Sequence, residues 1–589
     1  MPPYKYKSPK ILLIVESYTK SNKIDTFLDN KYICFPTLGH FREIDTDYQK
    51  QIFETFKPIY KIIPSKKKLV DELRSQIRDS THVIIATDDD REGEAIAWHI
   101  CDTFKLDPLT TKRILFHEVT KEAIMKAILN PTTINMNIVK SQQTRQIIDL
   151  LIGFKVSPII WKNVIKNRTL SAGRCQTPAL HIVYDNHIKH MNMKKEQKGD
   201  KFRYDVSATF TSYNILFKLD HSFESEEDMI DFLDKTRTFR HMYDIKVPQE
   251  YVVEPPLPYS TVDILKISPY SSTETMNILQ SLYEEGLITY HRTDSRKISP
   301  EVTRTISQYI DSVFGENYVR NYMRYMGWDK DEELECAHEA IRPVNIWTKD
   351  AGANAREKKI YTMIWNRTLE SCMTDYKYTD QEVVITAPDN HTYSFVSNQT
   401  IFDGWKKVKG ISKDIANLMT PNINGLNHIS KSKPILWNRI YCNMEYICNT
   451  NYITENRLIS ILEEKGIGRP STYASIVNKI QEKGYVKRMN IEGEEKTFIN
   501  MDMDNDGIIN KEKLDKIVGK EKNKLIIQDT GIQTVEYLYR HFYSIFDYGY
   551  TRKMEIELDK ISNGMSDTDG KEMYMECYHI LNSVINRLE

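Results

Sequence analysis

Short apolar runs alternate with helical periods from Lys10 to about Asn130. Ile11–Val15 and Val83–Ala86 have the unbroken apolar character of strands buried on both faces, whereas Leu69–Arg78 and Gly93–Phe104 repeat with helical spacing. Residues 138–193 are mainly helical in pattern, and the charged run Lys194–Asp200 reads as a linker. Strict alternation follows. Phe202, Tyr204, Val206, Ala208 and Phe210 share one face, and Ile215, Phe217 and Leu219 continue it after a turn. A second β-type stretch, Glu382–Val396, is interrupted by Pro388-Asp389-Asn390. Between the two lies a helical block opened by Glu254-Pro255-Pro256-Leu257-Pro258, and helical pattern returns from about 443. The expected organisation is multidomain α/β plus α plus β. It assigns 1–137 to an α/β domain, 138–200 with 443–589 to a helical domain, 201–254 with 376–442 to a β domain, and 255–375 to a second helical domain.

Asn277–Tyr290 can be laid over Ser475–Arg488 as an internal repeat. Each reads as an amphipathic helix, a glycine cap and an immediate strand, the layout of winged-helix modules that dock on nucleic acid. Two unrelated helix–glycine–strand corners remain the simpler alternative. The 589 residues are 40% hydrophobic and 28% charged, which excludes wholesale disorder. No apolar run reaches the roughly 18 residues of a membrane helix, and Ile11–Val15 is too short for a secretory leader, so an intracellular protein is expected. With 81 basic against 82 acidic residues, no global field selects a polyanion, and local patches decide binding. Eight cysteines without a C-x-x-C pair argue against a zinc ribbon and for free thiols in a reducing compartment. Asp502–Lys513 imitates a calcium loop, but Lys513 stands where the bidentate acid belongs, so a polar hairpin or surface insertion is expected.

Three constellations carry chemistry. In Thr81–Glu94 an apolar strand ends in Asp88, Asp90 and Glu92 and a helix begins at once. Ligands of α/β sheets sit at the carboxyl ends of strands, and converging carboxylates call for a cation such as Mg²⁺. An acidic helix N-terminus would place acids there too. The first strand likewise ends in Glu16, with Lys20 one turn on. They suit a proton donor and a phosphate clamp, or a plain i,i+4 pair. In Tyr283–Ser295 an extended chain would put Tyr290 and Arg292 on one face. A phenol becomes a nucleophile only where cations stabilise the phenolate, and Arg292 could grip a phosphate bidentately. An ordinary tyrosine on a wing strand is the alternative.

Taken in order, these segments resemble the type IA DNA topoisomerases, nearest the bacterial topoisomerase I branch. Ala86–His99 is similar to that family's Toprim signature, and Ile288–Ser295 to the motif around its active tyrosine. Gly39–Arg42, Phe116–Thr120, Leu170–Gln176, Ala337–Pro343 and Glu464–Tyr473 also match. The resemblance implies a toroidal core in which Tyr290 attacks single-stranded DNA and holds the 5′ phosphate while the other strand passes. It implies Mg²⁺ on Asp88, Asp90 and Glu92, with Glu16 joining them, and Lys20, Arg292 and His338 beside the scissile phosphate. His40, Arg145, Asp149, Arg174, Gln176, Glu284, Arg469, Ser471 and Thr472 would line the DNA path. The expected partner is single-stranded or negatively supercoiled DNA, without nucleotide or membrane, on a monomer located with DNA in cytoplasm, nucleoid or a viral replication site. Three departures stand out: Tyr18 and Asp89 where proline is frequent, and His291 where methionine is common. No cysteine-rich module precedes Glu589, so distributive relaxation is expected. A Toprim primase or nuclease, or a silent DNA-binding scaffold, is the competing reading.

Overall fold

The computed structural model describes residues 10–196, 201–210, 215–320, 339–410, 433–447, 451–566 and 570–588. Near its start, four parallel strands form a sheet in the order Tyr32–Pro36, Ile11–Val15, His82–Ile85, Lys112–Arg113. Alternation within the central strand decides its packing. Leu12 and Ile14 enter one core with Ile85, Leu73, Ile96 and Ile100, while Leu13 and Val15 enter another with Ile84 and Ile124. That second core is shared with Tyr283, Ile288 and Tyr290, so one face of the parallel sheet is covered by the segment carrying the candidate nucleophile.

A nine-stranded antiparallel sheet forms the β part. Phe202–Phe210 pairs with Leu216–Phe223 and Trp437–Tyr446, and Tyr376–Thr386 with Thr392–Phe402. Here the expected boundary at 443 fails. Glu494–Asp504 and Ile509–Val518 extend this same sheet from within the stretch read as helical, and Val486–Ile491 pairs with Glu521–Ile527. The strand Ile509–Val518 is solvated on both faces and carries no apolar alternation, while Glu494–Asp504 buries Phe498, Met501 and Met503. The calcium-like run is the hairpin turn of that ribbon. Asp504 Oδ1 accepts from the N–H groups of Asp506 at 3.1 Å and Ile508 at 2.9 Å, and Arg439 pairs with Asp502 at 2.8 Å.

The two repeat copies diverge after their helices. Tyr473–Glu482 leads through Gly484 into the strand Val486–Ile491, whereas Ser272–Glu284 leads through Gly286 to a single bridge between Ile288 and Pro343. Gly286 is required there. Its φ is +68°, and a Cβ would lie 2.4 Å from the Val119 carbonyl oxygen. A third core joins Met136–Asn163 to Glu455–Lys465, Tyr548–Ser562 and Lys571–Leu588. Among the described residues no helix is long and apolar enough to cross a membrane.

Candidate active site

Parallel pairing of Ile11–Val15 with His82–Ile85 brings Glu16 and Asp88 to the same sheet edge. There the Asp88 N–H donates to Glu16 Oε1 at 2.8 Å, and Lys20, fully buried, pairs with Asp88. Asp90 caps the helix Arg91–Phe104 by accepting the Gly93 N–H at 2.8 Å. Its other oxygen, Oδ2, accepts from the Tyr290 hydroxyl at 2.7 Å and from Arg292 Nη1 at 2.9 Å. Tyr290 and Arg292 thus meet on one carboxylate, and the intervening His291 is buried.

Electrostatics separate these groups. Burial and then Asp88 raise the Glu16 carboxyl to about 7, against the pull of Lys20. Burial works against ionisation of Asp90, but Arg292, the Gly93 N–H and Tyr290 hold it down at about 2. Burial, Asp90 and Asp88 push the Tyr290 phenol well above its usual value, and Arg292 opposes them.

The four carboxylates do not form a ligand set as they stand. Glu92 turns to His40 Nε2 at 3.2 Å, Gln142 Nε2 at 3.2 Å and Arg145 Nη1 at 3.5 Å, while Lys20 holds Asp88. Among the described residues no three His, Cys, Asp or Glu side chains converge as a metal site. The chemistry nevertheless fits a hard cation. Glu16, Asp88 and Asp90 offer carboxylate oxygens at one sheet edge, and beyond burial both aspartates raise Glu16, a repulsion a cation would relieve.

Several expected DNA contacts are turned inward. Arg174 is 2% exposed and spans Asp149, at 3.0 Å, and Glu555, so it is a buried strut where a backbone contact was expected. Gln176 donates to the Ser171 carbonyl at 2.7 Å, Thr472 bonds the Arg469 backbone, and Glu284 accepts from Gln280 at 2.7 Å. Arg145 lies between Glu92 and Asp149; Arg469 and Ser471 stay partly exposed. His338 falls outside the described residues.

Sequence reasoning missed the supports. Arg113, completely buried, donates to the carbonyls of Thr87 at 2.8 Å, Ile114 at 2.8 Å and Asp88 at 2.9 Å, and pairs with Glu94 at 3.2 Å. It clamps the backbone on which the acids stand. Asp89, the replacement for proline, pairs with His117 at 2.8 Å, and the His117 carbonyl accepts the Tyr290 N–H at 2.7 Å. No local pattern announces either contact.

A family model described as DNA topoisomerase matches residues 133–498, and one described as Toprim domain matches 11–119. The chain belongs to the type IA DNA topoisomerases. It is 31% identical to DNA topoisomerase 1 of Aquifex aeolicus over 94% of this chain and 95% of that one. It is 31% identical to "DNA topoisomerase 1 type prokaryotic" of Acanthamoeba polyphaga mimivirus, over 98% and 72%. Of the Buchnera aphidicola enzyme from Acyrthosiphon pisum, 29% identical, it spans 64% of the length. The structure of full-length topoisomerase I from Thermotoga maritima superposes with a TM-score of 0.78 at 27% identity, covering 98% of this chain and 90% of that one. A type IA topoisomerase is an isomerase, and neither the primase or nuclease reading nor the silent scaffold is favoured. In this topoisomerase the Toprim match covers Glu16, Asp88, Asp90 and Glu92, and the larger match covers Tyr290 and Arg292.

Proposed function

We propose that this topoisomerase relaxes negatively supercoiled DNA by transient cleavage of one strand, without nucleotide, as a monomer acting on DNA inside the cell. The observation that carries the reading is the meeting of Tyr290 and Arg292 on Asp90 Oδ2. The Tyr290 oxygen attacks the phosphodiester as its proton passes along the hydrogen bond to Asp90 Oδ2, an O–P bond forms, and the bond to the 3′ oxygen breaks. Glu16, raised by burial and by Asp88, stands where it can hand a proton to the departing 3′ oxygen. Resealing reverses each transfer. Because the phosphotyrosine keeps the energy of the broken bond, no ATP is consumed.

Arg292 orients the phosphate through its planar fork, and Lys20 balances charge at the sheet edge. Glu16, Asp88, Asp90 and Glu92 would hold Mg²⁺, after Glu92 leaves its present partners. When bound, the ion would neutralise the phosphate and the carboxylates. His40, Arg145 and Arg469 are assigned to the strand's path, His338 to the phosphate's surroundings. The test is plasmid relaxation with denaturant trapping of the covalent adduct. Wild type should leave protein on the 5′ end, and adduct on the 3′ end would sink the assignment.

A further inference from the structure

A closed circuit of alternating charge runs from the acid cluster into the C-terminal helices. Glu92 faces Arg145 at 3.5 Å, Arg145 faces Asp149 at 3.8 Å, and Asp149 accepts from Arg174 at 3.0 Å. Arg174 pairs with Glu555, Glu555 faces Arg469 at 3.8 Å, and Arg469 pairs with Asp559. Asp559 also receives Arg91, the chain neighbour of Glu92, so the circuit closes through one peptide unit.

Glu555 and Asp559 sit one turn apart on the helix Tyr548–Ser562 and therefore share a face. Met554, Leu558 and Ile561 bury the helix, and Ser141 Oγ donates to the Leu558 carbonyl at 2.7 Å. This helix lies beyond the residues matched by either family model. The circuit has a dry half and an open half. Glu555 and Arg174 are 3% and 2% exposed, whereas the Asp559, Arg469 and Arg91 side chains are 39%, 27% and 18% exposed.

The open half is a weak stabiliser but a strong organiser. Partly exposed ion pairs contribute at most about 1 kcal/mol, so stability does not account for two guanidinium groups crowded on one carboxylate. The crowding has a cost, because two like charges held on one carboxylate repel each other. Arg91 Nη1 is itself buried and has no acceptor among the described residues, so what Arg91 offers a ligand is the 18% of its side chain left exposed. Partly exposed guanidinium groups, beside a sheet edge proposed to handle a phosphodiester, suit a phosphate.

We propose that Asp559 is a positioning residue for DNA. It gathers Arg91 and Arg469 from two distant segments so that the exposed parts of both guanidinium groups meet the strand next to the acid cluster, with Glu555 anchoring the buried side. This rests on the DNA reading above. Asp559→Asn keeps size but leaves a single acceptor and no charge, so it no longer holds both arginines.

The experiment measures binding of a fluorescent single-stranded oligonucleotide over a series of salt concentrations, with thermal melting alongside. Each neutralised phosphate contributes a slope of roughly −0.7 for single strands. Asp559→Asn should bind several-fold more weakly at about 0.15 M salt, with a slope shallower by roughly 0.7 to 1.4, because one or two phosphates would go unneutralised. Asp559→Glu should recover part of both. A lower melting temperature with an unchanged slope would reduce Asp559 to a structural residue and overturn the proposal. Tighter binding would overturn it as well, because the carboxylate would then be competing with phosphate. A wild-type protein with no salt slope sinks the DNA reading itself, whereas failure confined to Asp559→Asn leaves that reading standing.

Discussion

Gly93 offers a test in which space alone is the variable. It lies in the helix Arg91–Phe104 with ordinary backbone angles, so alanine is conformationally allowed and by propensity would be favoured by about 1 kcal/mol. An added Cβ, however, would stand 2.1 Å from the Asp88 carbonyl oxygen and 2.9 Å from both its carbon and its nitrogen. Ordinary contact begins near 3.4 Å, so the helix start and the Asp88 backbone must part by roughly 1 Å. That backbone also carries the Arg113 clamp, and the Gly93 N–H is the donor that Asp90 caps. Gly93→Ala should therefore lower stability by about 1–3 kcal/mol in place of the propensity gain. A displacement of about 1 Å at a reacting centre costs on the order of a hundredfold in rate, so relaxation should fall by that order. The matched control is Gly153→Ala in the helix Met136–Asn163. There the nearest atom to a new Cβ is 4.0 Å away, and a gain approaching about 1 kcal/mol is expected. Chemical denaturation of both variants, with plasmid relaxation at several Mg²⁺ concentrations, makes the comparison. Gly93→Ala that melts and relaxes like wild type would refute the claim that the acid loop rests directly on this helix turn.

Tyr290→Phe should abolish both the covalent adduct and relaxation while single-strand binding persists; relaxation by that variant would remove Tyr290 as the nucleophile. Glu555, buried, is drawn down to about 2 by Arg174, Arg469 and Arg145 against its burial. A folded-state value below the ordinary 4.5 gives stability that is present above pH 4.5 and lost as the pH falls toward 2. The difference is worth about 3 kcal/mol, and denaturant midpoints across that range should show it, with Glu555→Gln flattening the profile. Relaxation should stop in EDTA and return with Mg²⁺, and Asp88→Ala/Asp90→Ala should raise the Mg²⁺ requirement steeply. Wild-type turnover by that pair in chelator would defeat the metal assignment. Arg113→Met, which leaves Glu94 buried and unpaired, should cost about 3–5 kcal/mol by urea denaturation.

What the sequence disclosed was local, and what it concealed was distant. An apolar strand running into Asp88 and Asp90 is visible because strand, acids and helix start are contiguous. Tyr290 and Arg292 were legible as neighbours two positions apart, although the chain carries them to Asp90 without forming a regular strand. Arg174 was assigned to the DNA path by resemblance, and its burial could not be read locally because it depends on Glu555, 381 positions away. Asp559 and Arg91, 468 positions apart, are invisible for the same reason. In the ribbon Glu494–Val518 the outer strand Ile509–Val518 is solvated and imposes no alternation, and the inner strand shows it only over Met501–Asp504, too short a run to stand out.

Asp90 Oδ2 is a shared seat, held at once by the phenol of Tyr290 and the guanidinium of Arg292. Sharing imposes a reciprocity that no later step can evade: whatever draws on that oxygen loosens the tyrosine, and whatever engages the tyrosine frees the oxygen by an equal free energy. With the roles proposed above, Tyr290 rests occupied on Asp90, like a key stored in the lock it will later open. Arrival of substrate and preparation of the attacking group become one thermodynamic event.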